Sequence, residues 1–459
     1  MSADAWYVGF DLGSQRHEVV ICDQAGEPVR QFGMLRGQLG WKLLCEEVRA
    51  VVPPGTRVLY LVEAAQNFWQ EVVHPLKTAG EEVYLLSPTK CSDLRKFYRK
   101  HTKTDPIDAL ATARVGYSDR RLVPVWVGTP QQESLRRLCR LSWKLSHEMR
   151  NHKRRIATQL EMILPGIGKV WRNRYCGSAR LFYRRYLDPM RARRLGRKRL
   201  EAILRRRAWG KLSPQTMEKL WAVIENAPTL RFDRDDLLLE IQCELDGLEA
   251  TEKRQQQLNE RIDELYSEVD PARRLESVPG LGPVLAAAIT SAIGDVSRWR
   301  NASRLVAASG LVPRKKASSG REKAHQPLTK QGDPHLRCWL YVAAEIARQY
   351  DPDLRAFYLR LTRRGTHHKA AICALGAKLL RRFYALLRDK VDYQITDQLQ
   401  IQNAKKPIRA SVHEVAERLL KDMPETAPSN KDHTANRTHP STTRNSRHRA
   451  AGQLVPLIG

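Results

Sequence analysis

No stretch of the 459-residue sequence stays apolar for long enough to cross a bilayer. The best run, Gly282 to Ile293, is interrupted by Thr290 and Ser291 and falls short of the ~20 residues that a spanning helix needs. A signal peptide is not expected, because Met1 to Tyr7 holds Asp4 and no basic flank, and the apolar segment behind it carries Asp11. The eight cysteines (22, 45, 91, 139, 176, 243, 338 and 373) are never closer than 23 residues apart, which argues against a zinc knuckle or a compact disulfide framework. They read as reduced thiols of a cytoplasmic protein. His335 and Cys338 have ligand-like spacing but no second pair nearby, so they read as a helix surface. There is no phosphate-binding P-loop and no internal repeat. Acidic residues are also short, with 50 Asp and Glu against 79 Lys and Arg, a net charge of +29. Such an excess favours a polyanionic partner, nucleic acid or an anionic membrane surface.

The charge is unevenly placed. Residues 1–120 carry 15 basic and 15 acidic side chains, residues 136–211 carry 24 and 4, and residues 300–400 carry 20 and 8. The stretch at about 233–270 is acid-rich. A segment as basic as 136–211 repels itself without counter-ions, so a phosphate backbone is expected there. Arg154, Arg155, Arg172, Arg184, Arg185, Arg193 and Arg194 are its candidate contacts. Trp171, Tyr175, Tyr183 and Tyr186, interleaved among the cations, are either packing residues or platforms for unpaired bases.

Periodicity predicts strands at 6–12, 17–23, 57–63 and 82–86 and helices at 38–50, 67–79 and 104–116, an α/β head of about 120 residues. From Leu135 to Ile163 apolar residues recur at helical spacing up to Pro165-Gly166. Ile241, Leu245, Leu248, Leu258, Ile262 and Leu265 stand in heptad register, which predicts a coiled-coil helix pairing within the chain or between protomers. The expected organisation is a head over 1–125, a basic helical region over 130–232, a coiled coil over 233–270, a C-terminal domain over 271–395 and a tail over 396–459. From about residue 424 the tail is too polar to bury a core.

In the head, Asp11 closes the first strand and Glu63 the third, while Asp105 and Asp108 share one helical face at i, i+3 behind the helix-starting Pro106. Singly, each acid is a surface charge or an N-cap. Jointly, hard oxygen donors at strand ends facing a helix-borne pair suit two divalent metals open to phosphate oxygens. Asp11 and Glu63 also interrupt apolar strands, where an unpaired carboxylate is costly. Phe10-Asp-Leu-Gly-Ser-Gln looks like the first phosphate loop of the actin and sugar-kinase ATPases, but the repeat carrying their second loop is missing.

In the C-terminal part, Leu275-Glu-Ser-Val-Pro-Gly-Leu-Gly-Pro-Val reads as a helix-hairpin-helix whose Gly280 and Gly282 admit a phosphate, or as an ordinary helical hairpin. Ser318-Ser319-Gly320 follows among Arg314, Lys315, Lys316, Arg321 and Lys323, with Lys330 and Arg337 beyond. The loop is either a flexible basic turn or a nucleophilic serine among cations that offset phosphorane charge.

Together, Asp11, Glu63 and Asp105-x-x-Asp108, Val278-Pro-Gly-Leu-Gly, Ala308-Ser-Gly-Leu-Val-Pro-Arg, Ser318-Ser-Gly and Lys330-x-Gly-Asp-Pro-x-Leu-Arg resemble the Piv/MooV-like insertion-sequence transposases. These are also called DEDD or bridge-RNA-guided recombinases, and the resemblance runs in order over about residues 6–390. It implies an RNase H-like (RuvC-like) head joined through a coiled coil to an all-α transposase domain with a helix-hairpin-helix. It further implies cutting and rejoining of DNA with Mg2+ (or Mn2+) on Asp11, Glu63, Asp105 and Asp108, attack by Ser319 with Ser318 as the fallback, and a structured guide RNA. The partners expected from it are the DNA of element ends and target, that RNA, and further copies of the chain in a dimer or tetramer held through the coiled coil, with no membrane. The expected location is the cytoplasm of a prokaryote, at the nucleoid when active. The alternative is a RuvC-like nuclease or Holliday-junction resolvase without a covalent intermediate. The segment at 166–232 is longer than the shortest members suggest, and the tail after 400 matches nothing in the family pattern.

Overall fold

The computed structural model describes residues 5–64, 68–98, 104–119, 122–228, 234–314, 317–318, 321–322 and 326–395. Its head is built from β1 (Ala5–Leu12), β2 (Arg16–Cys22), β3 (Pro28–Leu35), α1 (Gln38–Val51), β4 (Arg57–Glu63), α2 (Trp69–Thr78), β5 (Glu82–Leu86), α3 (Pro88–Tyr98) and α4 (Asp105–Ser118). The sheet order is β3-β2-β1-β4-β5. The first three strands form an antiparallel meander, while β4 and β5 run parallel to β1. Such a mixed sheet agrees with the RNase H-like expectation. One face packs under α1 and α2 through Val8, Phe10, Val19, Ile21, Leu44, Val72 and Leu76, and the other under α4 through Tyr7, Val20, Leu61, Ala109 and Ala113. The sequence did not announce β3 or α3: β3 is a largely exposed edge strand, so its alternation is faint.

The rest of the described chain is mostly helical: α5 (Pro130–Ile163), α6 (Gly177–Arg185), α7 (Pro189–Leu195), α8 (Arg197–Arg207), α9 (Pro214–Glu225), α10 (Arg234–Val269), α11 (Pro283–Ile293), α12 (Ala302–Ser309), a small hairpin of β6 (Ala317–Ser318) and β7 (Arg321–Glu322), α13 (Pro334–Tyr350), α14 (Pro352–Arg363) and α15 (His368–Asp389). Helix α5 opens with a capping box between Thr129 and Gln132 and, at 34 residues, extends about 50 Å. It packs along α10 in antiparallel sense, Ser142 meeting Asn259, His152 meeting Glu244 and Gln159 meeting Glu240. The heptad seam is therefore filled within the chain: Ile241, Leu245, Leu248, Ile262 and Leu265 are buried. Of the two pairings expected for this helix, the one within the chain is seen.

The predicted helix-hairpin-helix is also corrected at its first helix. Ahead of α11 stands only a 3-10 turn, Arg274–Ser277, entered through Arg273 in the left-handed conformation at φ 47. Among the described residues no helix is long and apolar enough to cross a membrane. The described cysteines are unpaired, as expected. The tail at 396–459 lies outside the described residues.

The linker between head and α5 joins both neighbours. Val125 N–H donates to the Val83 carbonyl at 2.7 Å, extending the sheet edge. The Trp126 ring then receives the guanidinium of Arg298 at 4.6 Å and that of Arg136 at 5.4 Å. Gly294 leaves room for this ring, since a Cβ there would lie 2.6 Å from it. Burial lowers the Arg298 pKa to about 10, with Arg136 adding to the shift.

Candidate active site

The parallel register of β1 and β4 pairs Gly9 with Leu61 and Phe10 with Val62, so Asp11 and Glu63 are the next neighbours at the carboxyl ends of adjacent strands. By the two-residue period of a strand, Asp11 shares a face with Gly9 and Glu63 with Leu61. That face carries α4. A Cβ on Gly9 would lie 2.3 Å from the Ala113 nitrogen and 2.4 Å from the Ala109 carbonyl oxygen, whereas Gly116, further along α4, packs on Tyr7 and Leu61. The helix therefore runs back along the strands, and its first turn, with Asp105 and Asp108, stands over the strand ends. Residues far apart in sequence are brought to one corner by a glycine that lets helix and strand touch.

The electrostatics link the same groups. Burial pushes the Cys91 thiol of α3 up to about 12, with the Glu63 and Asp108 carboxylates both adding to the shift, so this thiol remains protonated near neutral pH. Arg95, also on α3, holds Asp108 in an ion pair at 3.2 Å, both side chains largely buried. Asp105 is exposed at the helix start, where the α4 dipole favours a carboxylate. Among the described residues no group of three or more His, Cys, Asp or Glu is gathered closely enough to hold a metal. The donor set nevertheless suits one, since all four groups offer hard carboxylate oxygens to a divalent ion.

One further acid went unnoticed in the sequence. Glu18 of β2 pairs across from Asp11, is 8 % exposed and accepts a hydrogen bond from Gln31 Nε2 at 2.9 Å. Its signal was the one used for Asp11 and Glu63, a carboxylate within an apolar strand.

In the C-terminal domain, two motifs interlock beneath the serine loop. The Asp333 N–H donates to the Ala308 carbonyl at 2.9 Å and the Lys330 N–H to the Gly310 carbonyl. Gly332 sits so close that a Cβ would lie 2.0 Å from the Ala308 oxygen. Asp333 caps α13 by accepting from the His335 and Leu336 amides and pairs with Arg140 of α5 at 3.2 Å. Above this base, 312–314 and 327–329 run antiparallel through Arg314 N–H to Pro327 and Thr329 N–H to Val312. Further out, Ser318 pairs with Arg321. Ser319, Lys315, Lys316 and Lys323 lie outside the described residues, as do the side chains of Ser318 and Arg321.

The candidate nucleic-acid contacts differ in how far the fold covers them. Arg155 pairs with Glu244 at 2.6 Å, Arg184 with Asp246 and Glu249, and Arg193 donates to the carbonyls of Ile224 and Glu225. Arg337 donates to the carbonyls of Ser309 and Lys330. These four make contacts within the fold. Arg154, Arg172, Arg185, Arg194, Arg314 and Lys330 are exposed. Gly280, at φ 87, serves packing, because a Cβ there would lie 2.6 Å from Ile346. A Cβ at Gly282 would meet nothing within 4 Å among the described residues, and this exposed residue precedes α11. Trp171 and Tyr183 are buried and stack edge-on, which settles both as packing residues. Tyr175 donates to the Lys153 carbonyl and, like Tyr186, packs against the same core.

Comparison with known proteins covers both ends of this architecture. Residues 8–165 match the family model described as a DEDD transposase, and residues 272–359 match the model for transposases of the IS116/IS110/IS902 family. Over 392 residues the chain is 25 % identical to the 44.8 kDa protein of insertion element IS116 from Streptomyces clavuligerus, covering 84 % of this chain and 96 % of that one. It is 22 % identical over 384 residues to the pilin gene-inverting protein of Moraxella bovis, covering 83 % and 95 %. A transposase for insertion sequence element IS1328 from Yersinia enterocolitica is 30 % identical over 136 residues, 27 % of this chain and 40 % of the other.

Proposed function

We infer, for a chain that belongs to the IS116/IS110/IS902 transposase family, a division of labour between the acidic corner of the head and the serine hairpin of the C-terminal domain. The protein is an enzyme that cuts and rejoins DNA, and its role is to mobilise its own insertion sequence. The observation carrying this reading is the convergence of Asp11 and Glu63, at neighbouring strand ends, beneath the α4 turn that bears Asp105 and Asp108.

These four carboxylates would hold Mg2+ or Mn2+, which when bound supplies Lewis-acid stabilisation of charge on phosphoryl oxygens. Arg95, paired with Asp108, orients that carboxylate. The nucleophile is the Ser319 hydroxyl. Its oxygen bonds to the scissile phosphorus, the bond from phosphorus to one flanking sugar oxygen breaks, and that sugar leaves as a hydroxyl. The serine proton passes to a head-domain carboxylate, and a proton returns to the leaving oxygen. Rejoining is the reverse attack by a sugar hydroxyl of the new partner strand, which releases serine and conserves the phosphodiester without ATP. Cations flanking the loop in sequence, Arg314 and Arg321 among them, offset the charge that builds on phosphorus. The basic helical unit holds a structured RNA that guides site choice, and the reacting assembly is a dimer or tetramer in which acids and serine come from different protomers. Inversion of a DNA segment, the act named for the Moraxella bovis relative, and movement of an element use the same cut-and-rejoin steps.

The test is a nicked suicide DNA substrate, denatured and digested after reaction, with the adduct located by mass spectrometry. A phosphodiester adduct on Ser319 is expected. An adduct on Ser318 moves the assignment by one residue. Full cleavage without an adduct, undiminished in Ser319→Ala, replaces the reading with that of a hydrolytic nuclease or junction resolvase.

A further inference from the structure

Trp209 stands at the end of α8 with its residue 86 % exposed, although the other tryptophan of this helical unit that lies among arginines in sequence, Trp171, is buried. Its backbone is as unusual as its exposure. The Gly210 N–H reaches back to the Arg205 carbonyl at 3.0 Å and the Trp209 N–H to the Arg206 carbonyl at 3.3 Å, the paired bonds of a Schellman cap. Trp209 holds the left-handed position of that cap at φ 52, where glycine is the usual occupant because a side chain costs about 1 kcal/mol. The next residue is itself a glycine, Gly210, at φ 77. Neither helix termination nor core packing accounts for a tryptophan here, and the same residue leaves a large apolar ring in water. Strain and exposure together at one residue mark a functional position.

The surroundings identify the ligand chemistry. Arg205, Arg206 and Arg207 form the last turn of α8, Lys211 follows the ring, and all four are exposed. Arg205 is paired with Glu201. An indole presented on a rigid turn, bracketed by cations, matches an unpaired base flanked by backbone phosphates. Duplex DNA keeps its bases stacked and offers none, whereas the loops and bulges of a folded RNA display them. We propose that Trp209 is a stacking platform for an unpaired base in a loop of a structured RNA, with Arg206, Arg207 and Lys211 on the flanking phosphates. This rests on the reading of the basic helical unit as RNA-binding.

Trp209→Gly is the discriminating variant because it relieves the left-handed strain, so its urea midpoint should equal or exceed that of the wild type. The full-length chain is titrated with a hairpin RNA carrying 2-aminopurine in its loop, with the equivalent DNA hairpin, and with a fully paired RNA duplex. For the RNA hairpin, Trp209→Gly should weaken binding roughly tenfold and abolish quenching of the loop fluorophore, while Trp209→Phe restores most of both. Duplex binding and the salt slope should be unchanged. Wild-type binding that Trp209→Gly leaves intact overturns this inference alone, as does an equal loss on the duplex. An equal loss on the DNA hairpin overturns the RNA assignment. Loss of self-association in Trp209→Gly, measured by sedimentation, makes the ring an intersubunit contact instead. A wild-type chain that binds none of the three probes overturns the RNA reading of the unit and this inference with it.

Discussion

The head and the basic helical unit use charge in opposite ways. The head is balanced in sequence, with 15 basic and 15 acidic residues over 1–120, yet it places carboxylates at one corner, where Arg95 pairs with Asp108. The basic unit has 24 basic against 4 acidic residues over 136–211, and some of those cations are met by the acid-rich α10. Arg155 reaches Glu244, Arg180 reaches Glu249 and Glu252, and Arg184 reaches Asp246 and Glu249. Net charge is therefore a poor guide to where a polyanion or a cation binds. What matters is which charges the fold leaves uncompensated, and that depends on partners far away in sequence.

The comparison breaks most sharply at the strand ends. Asp11→Asn should reduce strand exchange to background while nucleic-acid affinity and the urea midpoint stay near wild type, as read by a recombination assay beside a gel-shift titration. Retention of wild-type rates in chelator would remove the metal from the mechanism. Gly9→Ala tests how the corner is assembled. Its Cβ meets backbone atoms of α4 at 2.3 and 2.4 Å, so α4 must move, and a stability loss of about 1–3 kcal/mol is expected together with a loss of activity greater than the destabilisation explains. In the basic unit, Arg180→Leu strands Glu252, which it holds through two hydrogen bonds of 2.7 Å. A loss of about 1–2 kcal/mol is expected in urea melts, partly recovered by adding Glu252→Leu. The smallest effect belongs to an exposed cation. Arg206→Gln should leave the melting curve unchanged and reduce the salt slope of RNA binding by about one.

The sequence was informative wherever a local rule met a local structure. The Asp11, Glu63 and Asp105–Asp108 positions followed from strand ends and i, i+3 spacing, and α1, α4, α5 and α10 from their apolar periods. What escaped needed tertiary context. Helix α3 was not expected from the sequence, yet it supplies Cys91 and Arg95 to the acidic corner. Glu18 carries the same signal in sequence as Asp11 and Glu63, but its place across from Asp11 follows only from the register of β2 on β1. Trp171 and Trp209 are both tryptophans near arginines, and their opposite fates depend on a core and a helix cap that composition does not reveal.

Helices α5 and α10 each belong to two hydrophobic cores. Leu135 and Cys139 at one end of α5, with Ile262, Leu265 and Tyr266 of α10, sit in the core of the C-terminal domain. Ile156, Leu160 and Ile163 at the other end, with Leu237, Ile241, Leu245 and Leu248, sit in the core of the basic unit. The modules visible as blocks of charge are therefore not separate foldons, because each takes part of its interior from the same two rods. Amide exchange should protect the middles of α5 and α10 to a common, global opening free energy. A fragment cut at either end of the pair loses part of both interiors, so the units will be poor candidates for expression in isolation.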